Sequence, residues 1–90
     1  MERNLKNEAI SRIISLIENF SKQLKGESFG VNLTNVFDGC VGTEQKLRLT
    51  LTYKGRAQSQ IVSECLPLDD VGEAQEAIRS YCEKSKYSFT

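Results

Sequence analysis

Leucine alternates with polar residues from Lys46 to Tyr53, and this alternation is the clearest pattern in the chain. The leucines are Leu47, Leu49 and Leu51, with lysine, arginine and threonine between them. Such a period of two is typical of a strand with one buried and one solvated face. Gly55 then marks a turn, and a second strand-like run extends from Ala57 to Leu66. The pattern therefore predicts an antiparallel hairpin whose leucine face must be covered by other elements.

A further strand is predicted before this hairpin. Residues 28–34 alternate apolar and polar side chains, with Phe29, Val31 and Leu33 on the apolar side. The phase breaks over residues 35–37, where we expect a bulge or the end of the strand. The three predicted strands follow one another in the chain and form one antiparallel sheet.

Residues 3–25 carry a helical pattern, because apolar residues recur every three to four positions. The apolar stripe is about half of the helix circumference wide, which is more than one sheet face needs. The excess consists of Ile10, Ile14 and Ile17. Two interpretations stay open: loops or the C-terminal tail cover these isoleucines, or they form the self-association surface of a homodimer.

A second helix is predicted after Pro67. Asp70 is its predicted N-cap, and Glu73 completes a capping-box-like pair. Its apolar face is narrow, as expected of a helix that packs on a sheet, and it should end near Lys84. The tail that begins at Tyr87 either caps the core or pairs at a sheet edge.

These elements predict one α+β domain over residues 1–90, in the order α-β-β-β-α. A three-stranded antiparallel sheet carries two helices on one face. The leucine face and the helices enclose the core, and the other sheet face is left to solvent.

The hairpin register follows from which side chains would oppose each other. A two-residue loop would set Leu51 opposite Gln58, whereas a three-residue loop sets Leu49 opposite Ile61. Because the side-chain pattern normally determines register, we predict the three-residue loop. Gly55 is not at the usual last position of such a loop, which counts against this prediction.

The chemistry available to the chain is limited by its composition. There is no histidine, which removes the usual triads and the side chain best suited to proton transfer near neutral pH. Cys40, Cys65 and Cys82 are widely spaced and form no CxxC pair, so we interpret them as reduced thiols. No phosphate-binding or metal-binding motif is present. We therefore predict no enzyme activity, no cofactor and no metal site.

Charge and hydropathy place further bounds on partners. Twelve basic and twelve acidic residues leave a net charge of zero, so no long-range field attracts nucleic acid or anionic membranes. No apolar run is long enough for a signal peptide or a membrane span. With the thiols taken as reduced, these features predict a cytoplasmic protein that does not associate with a membrane.

The solvated face of the hairpin is the predicted binding surface. It is rich in hydroxyls, amides and cations, and it has no aromatic residue for base stacking. The turn adds two cations on a small loop, of which Arg56 suits bidentate contacts. The candidate partner-binding residues are Lys46, Arg48, Thr50, Thr52, Lys54, Arg56, Gln58 and Gln60.

The α-β-β-β-α order is similar to that of double-stranded RNA-binding domains, and the similarity covers most of the chain as topology. It implies RNA binding through a lysine cluster at the start of the last helix. Here these positions read Leu68-Asp69-Asp70-Val71-Gly72-Glu73, which is acidic. The chain also resembles in type the small proteins of phages and mobile elements that inhibit a host protein by occluding it.

We therefore predict a non-enzymatic protein-binding or regulatory module, of the inhibitor type, with a protein partner and a plausible homodimer. One alternative is a nucleic-acid-binding domain that uses the basic strand and the hairpin tip, which consists of residues 53–56. Its affinity would fall steeply with salt. The other alternative is a small-ligand binder with a pocket at a subunit interface.

Overall fold

Six elements make up the fold in a computed structural model that describes residues 4–89. They are α1 (Leu5–Gln23), β1 (Gly30–Val36), β2 (Lys46–Tyr53), β3 (Arg56–Ile61), α2 (Leu68–Lys84) and β4 (Ser88–Phe89). The strands form one mixed sheet in the order β3-β2-β1-β4. The predicted α+β class, with its two helices, is confirmed.

The sheet has a fourth strand, so the prediction of three antiparallel strands is incomplete. β1, β2 and β3 are antiparallel neighbours, but β4 lies parallel to β1, with Ser88 opposite Gly30 and Phe89 opposite Val31. The amide of Tyr87 donates to the carbonyl of Cys82 at 2.9 Å, which turns the chain from α2 back toward the sheet. The tail thus pairs at an edge, which was one of its two predicted positions.

α1 and α2 run in the same direction across the leucine face of the sheet. Lys6 pairs with Glu73 near the starts of the two helices, and Tyr81 donates to Glu18 at 3.3 Å near their ends. Asn4 caps α1, since its side chain accepts a bond from the Asn7 amide. Because both helices lie on the leucine face, they leave the opposite sheet face uncovered.

The core lies between the helices and the sheet, where the apolar faces of β1 and β2 meet those of α1 and α2. Its largest fully buried side chains are Ile13, Ile17, Val31, Leu47, Leu49, Val62, Leu66, Ile78 and Cys82. The alternation along β2 is reproduced, because its three leucines are buried while Arg48 and Thr52 are exposed. β1 ends at Val36, where the break in phase predicted a bulge or the strand end.

α2 starts three residues earlier than predicted, and its N-cap is Pro67 rather than Asp70. A proline has a fixed φ that is compatible with a helix start and needs no amide donor there. Asp69 and Asp70 lie in the first turn, where their charges complement the helix dipole. The predicted end at Lys84 is confirmed.

The hairpin has a two-residue loop, so the predicted three-residue register is wrong. Leu51 faces Gln58, and Leu49 faces Gln60. Lys54 and Gly55 have φ of 50° and 79°, the left-handed conformation that a tight hairpin turn requires. Because every residue of β3 is exposed, no core contact selects the other register, and the turn geometry decides.

Cys40 and Cys65 form a disulfide, so the prediction of three reduced thiols is wrong for this pair. The β2–β3 hairpin brings the two flanking segments together, and Gln45 pairs with Leu66 beside the cysteines. Cys82 is free and buried, and burial raises the pKa of its thiol. A disulfide is typical of oxidising compartments, so the cysteines no longer support a cytoplasmic location.

Candidate functional site

The sheet face opposite the helices is the candidate site, and we call it the open face. Partners in the strand ladder point to the same side of a sheet, so the pairing pattern determines its membership. The open face consists of Gly30, Asn32, Thr34, Val36, Lys46, Arg48, Thr50, Thr52, Ala57, Ser59 and Ile61. Four of the predicted site residues, from Lys46 to Thr52, therefore lie side by side on it.

Hydroxyl and amide groups form the middle row of the open face. Asn32 on β1 lies opposite Thr50, which in turn lies opposite Ser59 on β3. The Thr50 Oγ1 and the Ser59 Oγ are 2.7 Å apart and share a hydrogen bond. This bond links neighbouring strands through their side chains and fixes the positions of the two hydroxyls.

A charged and partly apolar row of side chains lies next to this middle row. Thr34, Arg48 and Ile61 occupy three adjacent strands, and all three are exposed. Ile61 keeps 39% of its surface accessible although it is a large apolar side chain. An arginine next to an exposed isoleucine combines a bidentate donor with an apolar contact, which is a composition favoured in protein interfaces.

Lys46 differs from Arg48 in how much of it a ligand could reach. It is half-buried, and its Nζ lies 3.4 Å from the position that a Cβ at Gly39 would occupy. Its ammonium group therefore reaches toward the loop that follows β1. Arg48 is the cation at the centre of the open face.

The hairpin tip is anchored to the rest of the molecule at its base. Tyr53 donates a hydrogen bond from its hydroxyl to Glu27, and the Lys54 Nζ lies 5.3 Å from the centroid of the Tyr53 ring. Arg56 is exposed beside the turn. The tip thus presents two cations next to one another at the corner of the sheet.

Gln58 and Gln60 do not belong to the open face, which corrects their placement in the predicted site. They oppose Leu51 and Leu49, on the side of the sheet that carries the helices. A change of one residue in register moves every side chain of a strand to the other face. The same slip brings Ile61 to the open face, and only the preference of Lys54-Gly55 for a tight turn could have revealed it from the sequence.

Ile17 is removed from the predicted self-association surface, because it has no accessible surface and lies within the core. Ile10 and Ile14 are half-buried and pack against the same core. The wide apolar stripe of α1 is therefore largely used inside the molecule, and self-association through Ile10 and Ile14 stays a prediction.

Two depressions lie away from the open face. One holds about 60 Å³ between the first half of α1 and the segment after β3, and residues such as Arg12 and Glu64 line it. The other is a broad, open groove along the outer side of α2. Among residues 4–89, no group of three or more acidic or cysteine side chains is arranged to hold a metal ion.

Comparison with known proteins finds no matching family model, no matching curated protein and no matching solved structure. Neither helix of the described chain is long and apolar enough to cross a membrane.

Proposed function

We propose that this protein is a non-enzymatic protein-binding module whose binding surface is the open face together with the hairpin tip. One observation carries the proposal: both helices cover the same side of the sheet, and the other side is left accessible over three strands. Its hydroxyls, its central Arg48 and the exposed Ile61 form a mixed polar and apolar surface. Such a mixture suits a protein partner.

The shape and composition of the open face favour a protein over the two alternative ligands. Small-molecule sites are concave, whereas a sheet face is a broad and open surface. Single-stranded nucleic acid is bound by stacking on aromatic rings, and β1, β2 and β3 direct none toward the open face. With a net charge of zero, the chain also lacks the general attraction for phosphates.

Occlusion is the mechanism that best fits such a module. A small binding domain can act on another protein by covering a surface that this protein needs. We therefore extend the proposal to an inhibitory or regulatory role, of the kind found among phage and mobile-element proteins. In this role the central cation Arg48 contacts an acidic patch on the partner.

The test is a pull-down from extracts of the producing cells with three forms of the tagged protein. Arg48→Glu reverses the charge at the centre of the open face, and Glu83→Lys reverses an exposed charge on α2 as the matched control. We expect the wild type and the control to retain the same partner and Arg48→Glu to lose it. Retention by Arg48→Glu, or loss by the control alone, would contradict the proposal.

Salt dependence separates a protein partner from nucleic acid. Binding to nucleic acid weakens steeply with salt because counterions are released from the phosphates. We expect the retained material to resist nuclease and to survive a moderate increase in salt. Loss on nuclease treatment would instead support the nucleic-acid alternative.

A further inference from the structure

β3 is the outer strand of the sheet, and beyond the charge of its first residue, Arg56, it lacks the features that normally protect such a strand. All six of its residues are exposed, and its pairing with β2 is regular, without a bulge. Residues 57–63 contain neither a charge nor a proline. Natural sheets usually place lysine, proline or a bulge at a free edge, because unpaired main-chain groups there recruit another strand.

The main-chain groups that face outward follow from the pairing with β2. The Val62 amide donates to the Leu47 carbonyl at 2.9 Å, so the main chain of Val62 is directed inward. In an antiparallel pair, inward-bonded residues alternate with residues whose groups point away. Ala57, Ser59 and Ile61 therefore direct their N–H and C=O groups to the free edge. No segment of residues 4–89 pairs with that edge.

We propose that this edge pairs with the same edge of a second copy of the chain. The two β3 strands run antiparallel, with each Ser59 opposite its counterpart and each Ala57 opposite Ile61 of the other copy. These are the residues with outward main-chain groups, so this register satisfies all of them at once. Two sheets of four strands then become one continuous sheet of eight.

The side chains of β3 complement themselves in this register, and this points to a second copy as the occupant. Ala57 meets the exposed apolar Ile61, and Gln58 meets Gln60, whose amides donate to and accept from each other. The basic start of one strand, at Arg56, comes near the acidic Glu64 that follows the other strand. Opposite charges on neighbouring strands stabilise their pairing.

The arrangement goes beyond the proposed function and does not depend on it. The two-fold axis between the strands is perpendicular to the sheet, so both open faces point to the same side. The dimer would present two copies of Arg48 on one surface. A partner with two matching sites would bind such a surface more tightly through the increased effective concentration.

The first test measures the mass of the purified protein in solution. Pairing of two short edges buries little surface, so we expect a reversible dimer, seen by sedimentation between about 5 µM and 1 mM. Ser59→Pro removes an outward amide without breaking a main-chain bond to β2, and it should weaken dimerisation at least about tenfold. Ser59→Ala is the matched control, and it should leave the dissociation constant within about threefold.

A charge exchange provides a second test that does not rely on proline. Arg56→Glu places like charges together across the two copies and should weaken the dimer a few-fold. Arg56→Glu combined with Glu64→Arg should restore it. Restoration is specific to this register, since the two residues lie in different copies at the interface.

Each outcome decides the proposal. A concentration-dependent dimer that Ser59→Pro disrupts, and that the charge exchange restores, supports it. A monomer over the whole range overturns it, and so does a dimer that Ser59→Pro leaves intact, which would indicate another surface such as Ile10 and Ile14. If Ser59→Pro does not fold, the charge exchange decides the proposal: the dimer must weaken in Arg56→Glu and be restored when Glu64→Arg is added. These results involve no partner, so they are independent of the pull-down with Arg48→Glu.

Discussion

The two outer strands of the sheet, β3 and β4, terminate it in different ways. β4 has only two residues, and side-chain packing holds it in place. The Phe89 ring lies 5.8 Å from the guanidinium of Arg79. The rings of Tyr87, just before β4, and Phe29 have centroids 5.0 Å apart. β3 has six residues, and none of them is buried. The β4 edge is held against the core by aromatic side chains, whereas the β3 edge has no buried side chain.

This difference separates stability from binding within one small domain. The β4 side joins an aromatic cluster in which Phe29 also meets Phe20, with ring centroids 5.1 Å apart. β3 itself contributes no buried side chain; a tight turn precedes it, and the buried Val62 and the disulfide follow it. Mutations on the β4 side should therefore change folding, whereas mutations on β3 should change association.

The largest effect is expected from Phe29→Ala, at the centre of the aromatic cluster. Phe29 is buried and contacts two other rings, so its removal should lower the free energy of unfolding by about 3–5 kcal/mol. Gln58→Ala on β3 is the control, with an expected change within about 0.5 kcal/mol. Urea denaturation of both variants measures this contrast. Equal losses would contradict the separation of the two edges.

The next effect concerns the disulfide beside the open edge. Cys40→Ser with Cys65→Ser removes a link between residues separated by 25 positions. The unfolded chain regains conformational freedom, so stability should fall by about 2–4 kcal/mol. Chemical reduction of the wild type should lower the unfolding temperature in the same direction. No change on reduction would show that the link does not hold this side of the sheet in solution.

A smaller effect is expected at the turn that determines the register of β3. Gly55 has φ of 79°, so Gly55→Ala forces a side chain into the left-handed region and should cost about 1–2 kcal/mol. Gly72→Ala is the matched control within α2, where an added Cβ meets no atom within 4 Å. It should stabilise the protein by about 0.5–1 kcal/mol. The same sign for both variants would contradict the assigned turn.

The smallest effect is a pH dependence on the β4 side. Burial, with the Glu18 carboxylate and Tyr87 nearby, raises the pKa of Tyr81 from 10.0 to about 12. Above pH 10 the unfolded chain therefore loses this proton more readily than the folded one. Stability should be unaffected below pH 10 and should fall as the pH rises toward 12. Tyr81→Phe should reduce this fall, and an identical pH profile in the variant would contradict the assignment.

Periodicity in the sequence was sufficient for the elements that face the core. β2 and the C-terminal end of α2 were predicted closely, because their apolar positions repeat at the period of a strand or a helix, whereas the start of α2 was placed too late. β4 was ambiguous, since two residues are too few to show a period. The disulfide was missed because the proximity of Cys40 and Cys65 results from the folded hairpin and not from their spacing.

The candidate site was predicted only in part, because periodicity identifies the face of a strand only where one side of the strand is buried. Arg48, Thr50 and Thr52 were placed correctly, since the leucines between them determine which face is solvated. Gln58 and Gln60 were misplaced and Ile61 was missed, because β3 has no buried side and its register depends on the backbone of Lys54 and Gly55. Strands without core contacts are where a pattern of apolar residues carries least information.

Amide hydrogen exchange along β3, followed by NMR at low and high protein concentration, tests the central claim most directly. At low concentration the amides of Gln58, Gln60 and Val62 should be protected and those of Ala57, Ser59 and Ile61 should exchange rapidly. At high concentration the second group should become protected as the edges pair. Rapid exchange of that group at every concentration would contradict the pairing of β3 with a second copy, and equal protection of both groups at low concentration would contradict the open edge.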